Sequence, residues 1–236
     1  MGTANRIALY ATVCAVLAYV TPLGQSLYEK VFPDHAVALV VEQQDSPCEA
    51  SWVLLPGEEN LRTAMWGDVR RISRWERDGR IVHANQVLAS VSVRGNADKA
   101  VVIRDLTLTV VRRDTPAQGS FFRGGGCGGG EEPEFLVADL DTLPLNQEVP
   151  VSYLRRSPTQ KAAREAAEAM GKPVSLPRQV TTDGTYSFSL AGRTQRYDVE
   201  WFATVTWWDG EEVRQQRIDN DGRPFRVSAA GEGTSR

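Results

Sequence analysis

Strict alternation of apolar and polar residues marks the C-terminal half of this chain. Tyr197, Val199, Trp201, Ala203, Val205 and Trp207 interleave with Asp198, Glu200, Thr204 and Thr206. Successive side chains of a strand point to opposite faces, so the pattern predicts a strand with one buried and one wet face. Asp209-Gly210 supplies a hairpin turn into residues 211–218, and Asp221-Gly222 a turn before 225–227. The same period organises two earlier stretches. Val87, Ala89, Val91 and Val93 alternate with Ser90, Ser92 and Arg94, and Val102, Leu106, Leu108 and Val110 alternate with Asp105, Thr107 and Thr109. Joined through Gly95-Asn96-Ala97-Asp98, they read as an antiparallel pair. Tyr186, Phe188 and Leu190 mark another strand, and shorter ones are expected over 36–43, 51–55, 135–140 and 149–154.

Helical spacing appears twice. Over residues 58–77, Leu61, Met65, Val69, Ile72 and Trp75 share one face, with Glu58 and Glu59 in the first turn, Arg74 and Arg77 in the last, and Gly79 beyond. That charge order suits the helix dipole and the glycine suits the C-terminal cap. The basic cluster Arg62, Arg70, Arg71, Arg74 and Arg77 reads as a solvated face, offset by Glu58, Glu59, Asp68 and Glu76, in preference to a phosphate or headgroup site. Residues 158–170 form a second, Ala- and Glu-rich helix. It lacks a long apolar stripe and is expected to be an exposed excursion.

Residues 7–28 contain no charged side chain. As a helix the run rises roughly 33 Å, against a hydrocarbon core of roughly 30 Å. Its dense part, carrying Ile7, Leu9, Val13, Val16, Leu17 and Val20, is shorter, and Pro22 ends or kinks it. Three readings compete: an uncleaved anchor, a cleaved signal peptide and a helix of a soluble domain. No A-x-A-like site stands near Tyr19-Val20-Thr21-Pro22, and no polar face is visible, which favours the anchor. Arg6 places the short head, 1–6, in the cytoplasm and the remainder outside, with Lys30 opposing on the other flank.

The expected architecture is mainly β: an Ig-like antiparallel β-sandwich over 29–228 with one amphipathic helix, preceded by the N-terminal transmembrane helix. A subdivision near 144–173 is open, and 229–236 is expected to be a flexible tail. Composition agrees with a globular domain, at 42% hydrophobic and 24% charged residues. The net charge of -3 gives no basic footprint for nucleic acid.

Candidate chemistry is sparse. The run from Gly124 to Gly130 lacks the Lys and Ser/Thr of a phosphate loop and is followed by Glu131-Glu132-Pro133, so it reads as a turn-rich loop. The two histidines, His35 and His83, stand far apart and build neither a His-rich metal site nor a His-based triad. Asp219-Asn220-Asp221-Gly222 opens like a calcium loop but lacks the closing Glu, so it reads as a turn. Asp139 and Asp141 are spaced to face the same side of a strand and are the carboxylates a hydrolase would use, although a strand end or turn is the commoner origin of such a pair. Trp201 and Trp207 belong to the predicted core, whereas Trp208 points outward and is the candidate ligand or partner surface. Cys48 and Cys127 lie outside the apolar run that holds Cys14 and are a candidate disulfide in an oxidising compartment. No catalytic, cofactor-binding or metal-binding residue is assigned.

The order of several segments carries a resemblance. A strand over 100–113 ends in the basic pair Arg112-Arg113. Then come Gly126-Cys127-Gly128-Gly129, a strand over 135–141 ending Asp139-Leu140-Asp141, the run Asp198-Val199-Glu200-Trp201, and a closing segment over 219–226. Over residues 66–228 the chain resembles a group of uncharacterised actinobacterial proteins with one membrane helix and a β-rich C-terminal region. Members carry a cysteine just before the D-V-x-W strand, where Tyr197 stands here. If that cysteine pairs with the one in the glycine loop, the bridge is missing here, which weakens the pairing of Cys48. The resemblance implies fold and topology and brings no activity. The expected function is therefore a single-pass, membrane-anchored, extracytoplasmic binding module, with the bilayer and a protein or glycan of the cell envelope as partners. The alternatives are an envelope hydrolase working through carboxylates and a cytoplasmic-facing regulatory partner.

Overall fold

The computed structural model describes residues 37–48, 50–95, 100–125, 134–181 and 184–230. The anchor expected over 7–28 lies outside them. Among the described residues no helix is long and apolar enough to cross a membrane.

The chain from Val37 on is mainly β. The long strands are β4 (Gln86–Gly95), β5 (Val101–Asp114), β11 (Thr185–Arg193) and β12 (Asp198–Trp208). Around them lie β1 (Val37–Gln43), β2 (Trp52–Leu54), β3 (Ile81–Ala84), β6 (Ser120–Phe122), β7 (Glu134–Asp139), β8 (Glu148–Pro150), β9 (Lys172–Pro173), β10 (Arg178–Val180), β13 (Val213–Ile218) and β14 (Phe225–Ser228). They form two mixed sheets. One runs β1-β4-β11-β7-β9; the other runs β10-β5-β12-β14-β3-β2-β6, with β13 added to β12 and β8 to β5. The alternating segments each bury their apolar face, but β4 and β5 are not the antiparallel pair the sequence suggested: β4 lies between β1 and β11 in one sheet and β5 between β10 and β12 in the other. On β4, Val87, Ala89, Val91 and Val93 are buried, and on β12 Val199, Trp201, Ala203, Val205 and Trp207 are buried.

Not every pairing is antiparallel. β7 runs parallel to both β11 and β9, and β14 runs parallel to β3. Parallel neighbours need a crossover connection. Between β7 and β9 it includes β8, which joins the other sheet, and then α2 (Val151–Arg156) and α3 (Lys161–Met170). This differs from the sequence expectation at two places. Residues 149–154 are a strand only as far as Pro150, because Val151 and Leu154, three apart, bury one face of a helix. The 158–170 helix is not an excursion: Ala163 and Ala167 pack on Phe135 and Val137 of β7 and Ala191 of β11. Alanine adds little to an apolar stripe yet lets a helix lie close on a sheet.

The single helix expected over 58–77 is two elements, a 3-10 turn (Glu59–Ala64) and α1 (Val69–Arg77). The chain turns at Gly67, whose N–H bonds the carbonyl of Ala64, and restarts at Asp68, whose carboxylate accepts from the Arg70 amide at 2.9 Å. Leu61, Met65 and Ile72 still meet in one buried cluster with Trp52, Leu54 and Phe122, while Val69 at the break is exposed.

Of the segments named for the resemblance, residues 126–129 lie outside the described residues, and the others form or flank strands. Asp198 and Trp201 of β12 lie opposite Ser228 and Phe225 of β14. Arg226 grips the buried Asp198 carboxylate with two hydrogen bonds of 3.0 and 2.6 Å, and the Trp201 and Phe225 rings stand 5.1 Å apart. Arg112 bonds Glu200 at 2.7 Å, while Arg113 donates to the carbonyls of Leu140 and Leu143. Beyond β14, Ala229 and Ala230 are tied to the Tyr197 carbonyl and the Asn85 side chain.

Candidate functional site

Two places gather polar groups in ways the fold alone does not demand. The first is buried. Strand β1 ends at Gln43, and the chain then drops Asp45 inward beneath the last turns of α1, which supplies Ser73 and Glu76. Strand β3 follows α1 after a tight turn at Gly79, and its four residues are all buried, so His83 has no wet face to turn to. The turn between β13 and β14 brings in Asn220.

The geometry is close. His83 Nε2 lies 3.2 Å from Asp45 Oδ1 and 3.8 Å from Glu76 Oε1. Gln43 Nε2 stands among them, 2.8 Å from Asp45 Oδ1, 2.6 Å from Glu76 Oε2 and 3.1 Å from His83 Nε2. Ser73 donates to the other oxygen of Asp45 at 2.5 Å, and Asn220 donates to Gln43 Oε1 at 3.2 Å. His83 Nδ1 is buried without a partner.

The charges set one another. Burial works against ionisation of Asp45, but the hydrogen bonds from His83, Ser73 and Gln43 and the His83 charge prevail and hold its carboxyl below the ordinary 3.8. Burial dominates at Glu76 and, helped by the negative charge of Asp45, pushes it above 4.5 against the attraction of His83. Burial alone would lower His83, yet Glu76 and Asp45 outweigh it and raise the imidazole above 6.5.

The second place is an open groove of about 560 Å³. Its walls include Trp66, Phe121 and Phe122, with Arg62, Arg123 and Asn85 at its edge. Trp66 is 58% exposed, and its ring meets Phe122 edge-on at 5.7 Å. Arg62 donates to the Phe121 carbonyl at 2.8 Å, which fixes its guanidinium beside the aromatic wall.

The sequence candidates fall elsewhere. Asp139 accepts from the Asp141 amide and caps a short 3-10 turn; burial first, then the Asp141 charge, pushes its carboxyl up. Asp141 accepts from the Thr194 hydroxyl at 2.6 Å and the Gln195 amide at 2.9 Å, pinning the turn between β11 and β12. Both carboxylates are therefore engaged in shaping backbone. Trp208 is 42% exposed and lies opposite Val213, 54% exposed, on the edge strand β13. Cys48 is disulfide-bonded, and Cys127 lies outside the described residues. The Asp45, Glu76 and His83 grouping escaped the sequence reading. Its one signal was the short apolar run around His83, which gives an imidazole no route to solvent.

No family model matches the chain, and no curated protein does. The X-ray structure of Northeast Structural Genomics Consortium target SoR45 aligns over 85% of this chain and 92% of its own, at 9% identity and a TM-score of 0.34. A likeness of that size carries no argument.

Proposed function

We propose that this chain is a membrane-anchored, extracytoplasmic binding module whose receiving surface is the Trp66 groove, and that its ligand is an acidic saccharide of the cell envelope. The observation that carries the reading is the pairing of aromatic walls with arginines in an open groove of about 560 Å³. That volume suits a small ligand or one segment of a larger one. An aromatic face accepts the apolar side of a sugar ring, and guanidinium groups recognise carboxylate or phosphate in a fork geometry. The uncharged run over 7–28 supports the anchoring. The hydrolase alternative has less support, because Asp139 and Asp141 are held by local hydrogen bonds.

Fluorescence titration of the full chain with oligogalacturonate, and with a neutral maltooligosaccharide as control, tests the ligand class. Saturable binding of the acidic oligomer alone is expected. Trp66→Ala is expected to weaken it about tenfold or more, which corresponds to about 1.4 kcal/mol. Equal affinity for both sugars, or an unchanged Trp66→Ala, would overturn the proposal.

Compartment is tested separately. The Gly124 amide bonds the Ser51 hydroxyl, and the Gly125 amide bonds the Pro47 carbonyl, so the glycine loop leaves beside the chain around Cys48. Peptide mapping without reductant is expected to recover Cys48 joined to Cys127. A cysteine introduced at Asp34 is expected to react with an impermeant reagent on intact cells. Reaction only after lysis, or two free thiols in the map, would defeat the outside placement.

A further inference from the structure

We propose that Asp45, Glu76 and His83 form a binding site for a divalent transition-metal ion, with the side-chain amide of Gln43 as a fourth ligand. The donor set is the first support. Each of the three residues offers one ligand atom, and these atoms all lie within 4.8 Å of one another. The separations of 3.2 and 3.8 Å at His83 Nε2 bracket the edge of roughly 3.4 Å that a tetrahedron with bonds of about 2.1 Å would have.

The second support is the amide nitrogen of Gln43. It stands within 2.6 to 3.1 Å of Asp45 Oδ1, Glu76 Oε2 and His83 Nε2, the place a cation would take. Its two protons serve Asp45 and Glu76, but against a protonated His83 Nε2 that donates to Asp45 the amide nitrogen stands donor to donor. With the Gln43 amide turned over and its side chain drawn back to leave room for the ion, Oε1 becomes the fourth ligand. Turning Asn220 with it preserves their mutual hydrogen bond with donor and acceptor exchanged.

Charge balance is the third support. Two buried carboxylates with one imidazolium leave a net negative charge in the interior, which is costly. Two carboxylates, a neutral imidazole and a divalent cation sum to zero. One imidazole with oxygen donors suits zinc, manganese or iron(II), whereas calcium takes more oxygens than this site offers. Access exists. A pocket of about 260 Å³ reaches Glu76 and Asn220 from the surface. Arg77 and Arg223 line the same pocket and oppose a cation, and His83 Nδ1 lacks the buttressing acceptor usual in metal sites, a deficit that costs about 10- to 100-fold in affinity. Micromolar binding is therefore expected, tighter for zinc than for manganese.

The chain has only two histidines, which makes a test possible without altering any proposed ligand. EDTA-treated full-length protein, with ring-15N-labelled histidine, is titrated with zinc. One imidazole is expected to shift at stoichiometric metal, and His35→Gln is expected to keep that shifting signal. Calorimetry is expected to show one zinc per chain, weakened about tenfold or more in Glu76→Gln and in Asp45→Asn. Absence of any ring shift in the unsubstituted protein, loss of the shift in His35→Gln, or undiminished affinity in a folded Glu76→Gln would overturn the site. If a carboxylate variant does not fold, the ring shift and its persistence in His35→Gln still decide.

Discussion

Trp201→Ala is expected to lower the unfolding free energy by about 3–5 kcal/mol, the range for emptying a large aromatic site in a core. Trp201 is fully buried. Its ring is 5.1 Å from that of Phe225 in the same sheet and also lies against Gly192 of the other sheet. A Cβ placed on Gly192 would stand 2.5, 2.6 and 2.7 Å from three indole atoms, so the glycine is where β11 makes room for the ring. Gly192→Ala should therefore be destabilising through overpacking, and the two substitutions together should cost less than their sum. Trp201→Phe should be the mildest, because the indole N–H is buried without a partner and phenylalanine removes it. Urea unfolding of the variants measures these differences. A loss below about 1 kcal/mol for Trp201→Ala would show that the ring is not the wedge between the sheets.

The second large effect belongs to the buried cluster. His83→Ala, measured in EDTA, is expected to cost about 3–5 kcal/mol, because it leaves two carboxylates facing each other without their cation. The pH dependence of the unsubstituted protein follows from three groups. The folded value of Asp45 is depressed, so its contribution is present above 3.8 and disappears as pH falls through the folded value. His83 is raised, so its contribution is complete below 6.5 and disappears as pH rises through the folded value. Glu76 is also raised, so keeping its buried carboxylate ionised costs stability increasingly above 4.5. The cluster thus favours the interval between 3.8 and 6.5 and weakens toward alkaline pH. Melting temperatures across that interval and on its alkaline side, compared between the unsubstituted protein and His83→Ala, should differ in slope above it. Parallel profiles would refute this account.

The long strands were legible because one face of each is wet and the sequence alternates, whereas β6, β9 and β10 are too short to show a period. β4, β5, β11 and β12 show that alternation. β3 does not: all four of its residues are buried, so it lacks the alternation that marks a strand, and His83 on it looked solitary. The partners of His83 come from 38 positions earlier and seven positions earlier, on a loop and a helix, and no local pattern links them. Glu76 was assigned to a solvated helix face because its neighbours are arginines; only the packing of α1 against β3 turns it inward. The helix over 161–170 was underrated for a different reason. Its contact face is built from alanines, which contribute proximity rather than apolar area. Trp201, Trp207 and Trp208 sorted as expected, two buried and one exposed, because period two fixes their sides absolutely.

The parallel pairing of β3 with β14 also fixes an order of events during synthesis. β3 has β2 on one side and β14 on the other, and β14 is the last strand among the described residues. Until residue 228 has left the ribosome, one edge of β3 has no strand to bond. The same holds for Gln43, whose contact with Asn220 spans 177 positions. A nascent chain can close β1 on β4 early, but the cluster around His83 reaches its final form only when the whole domain has emerged. Such distant pairings slow folding, and the open edge of β3 is a place where premature release would invite association with another chain.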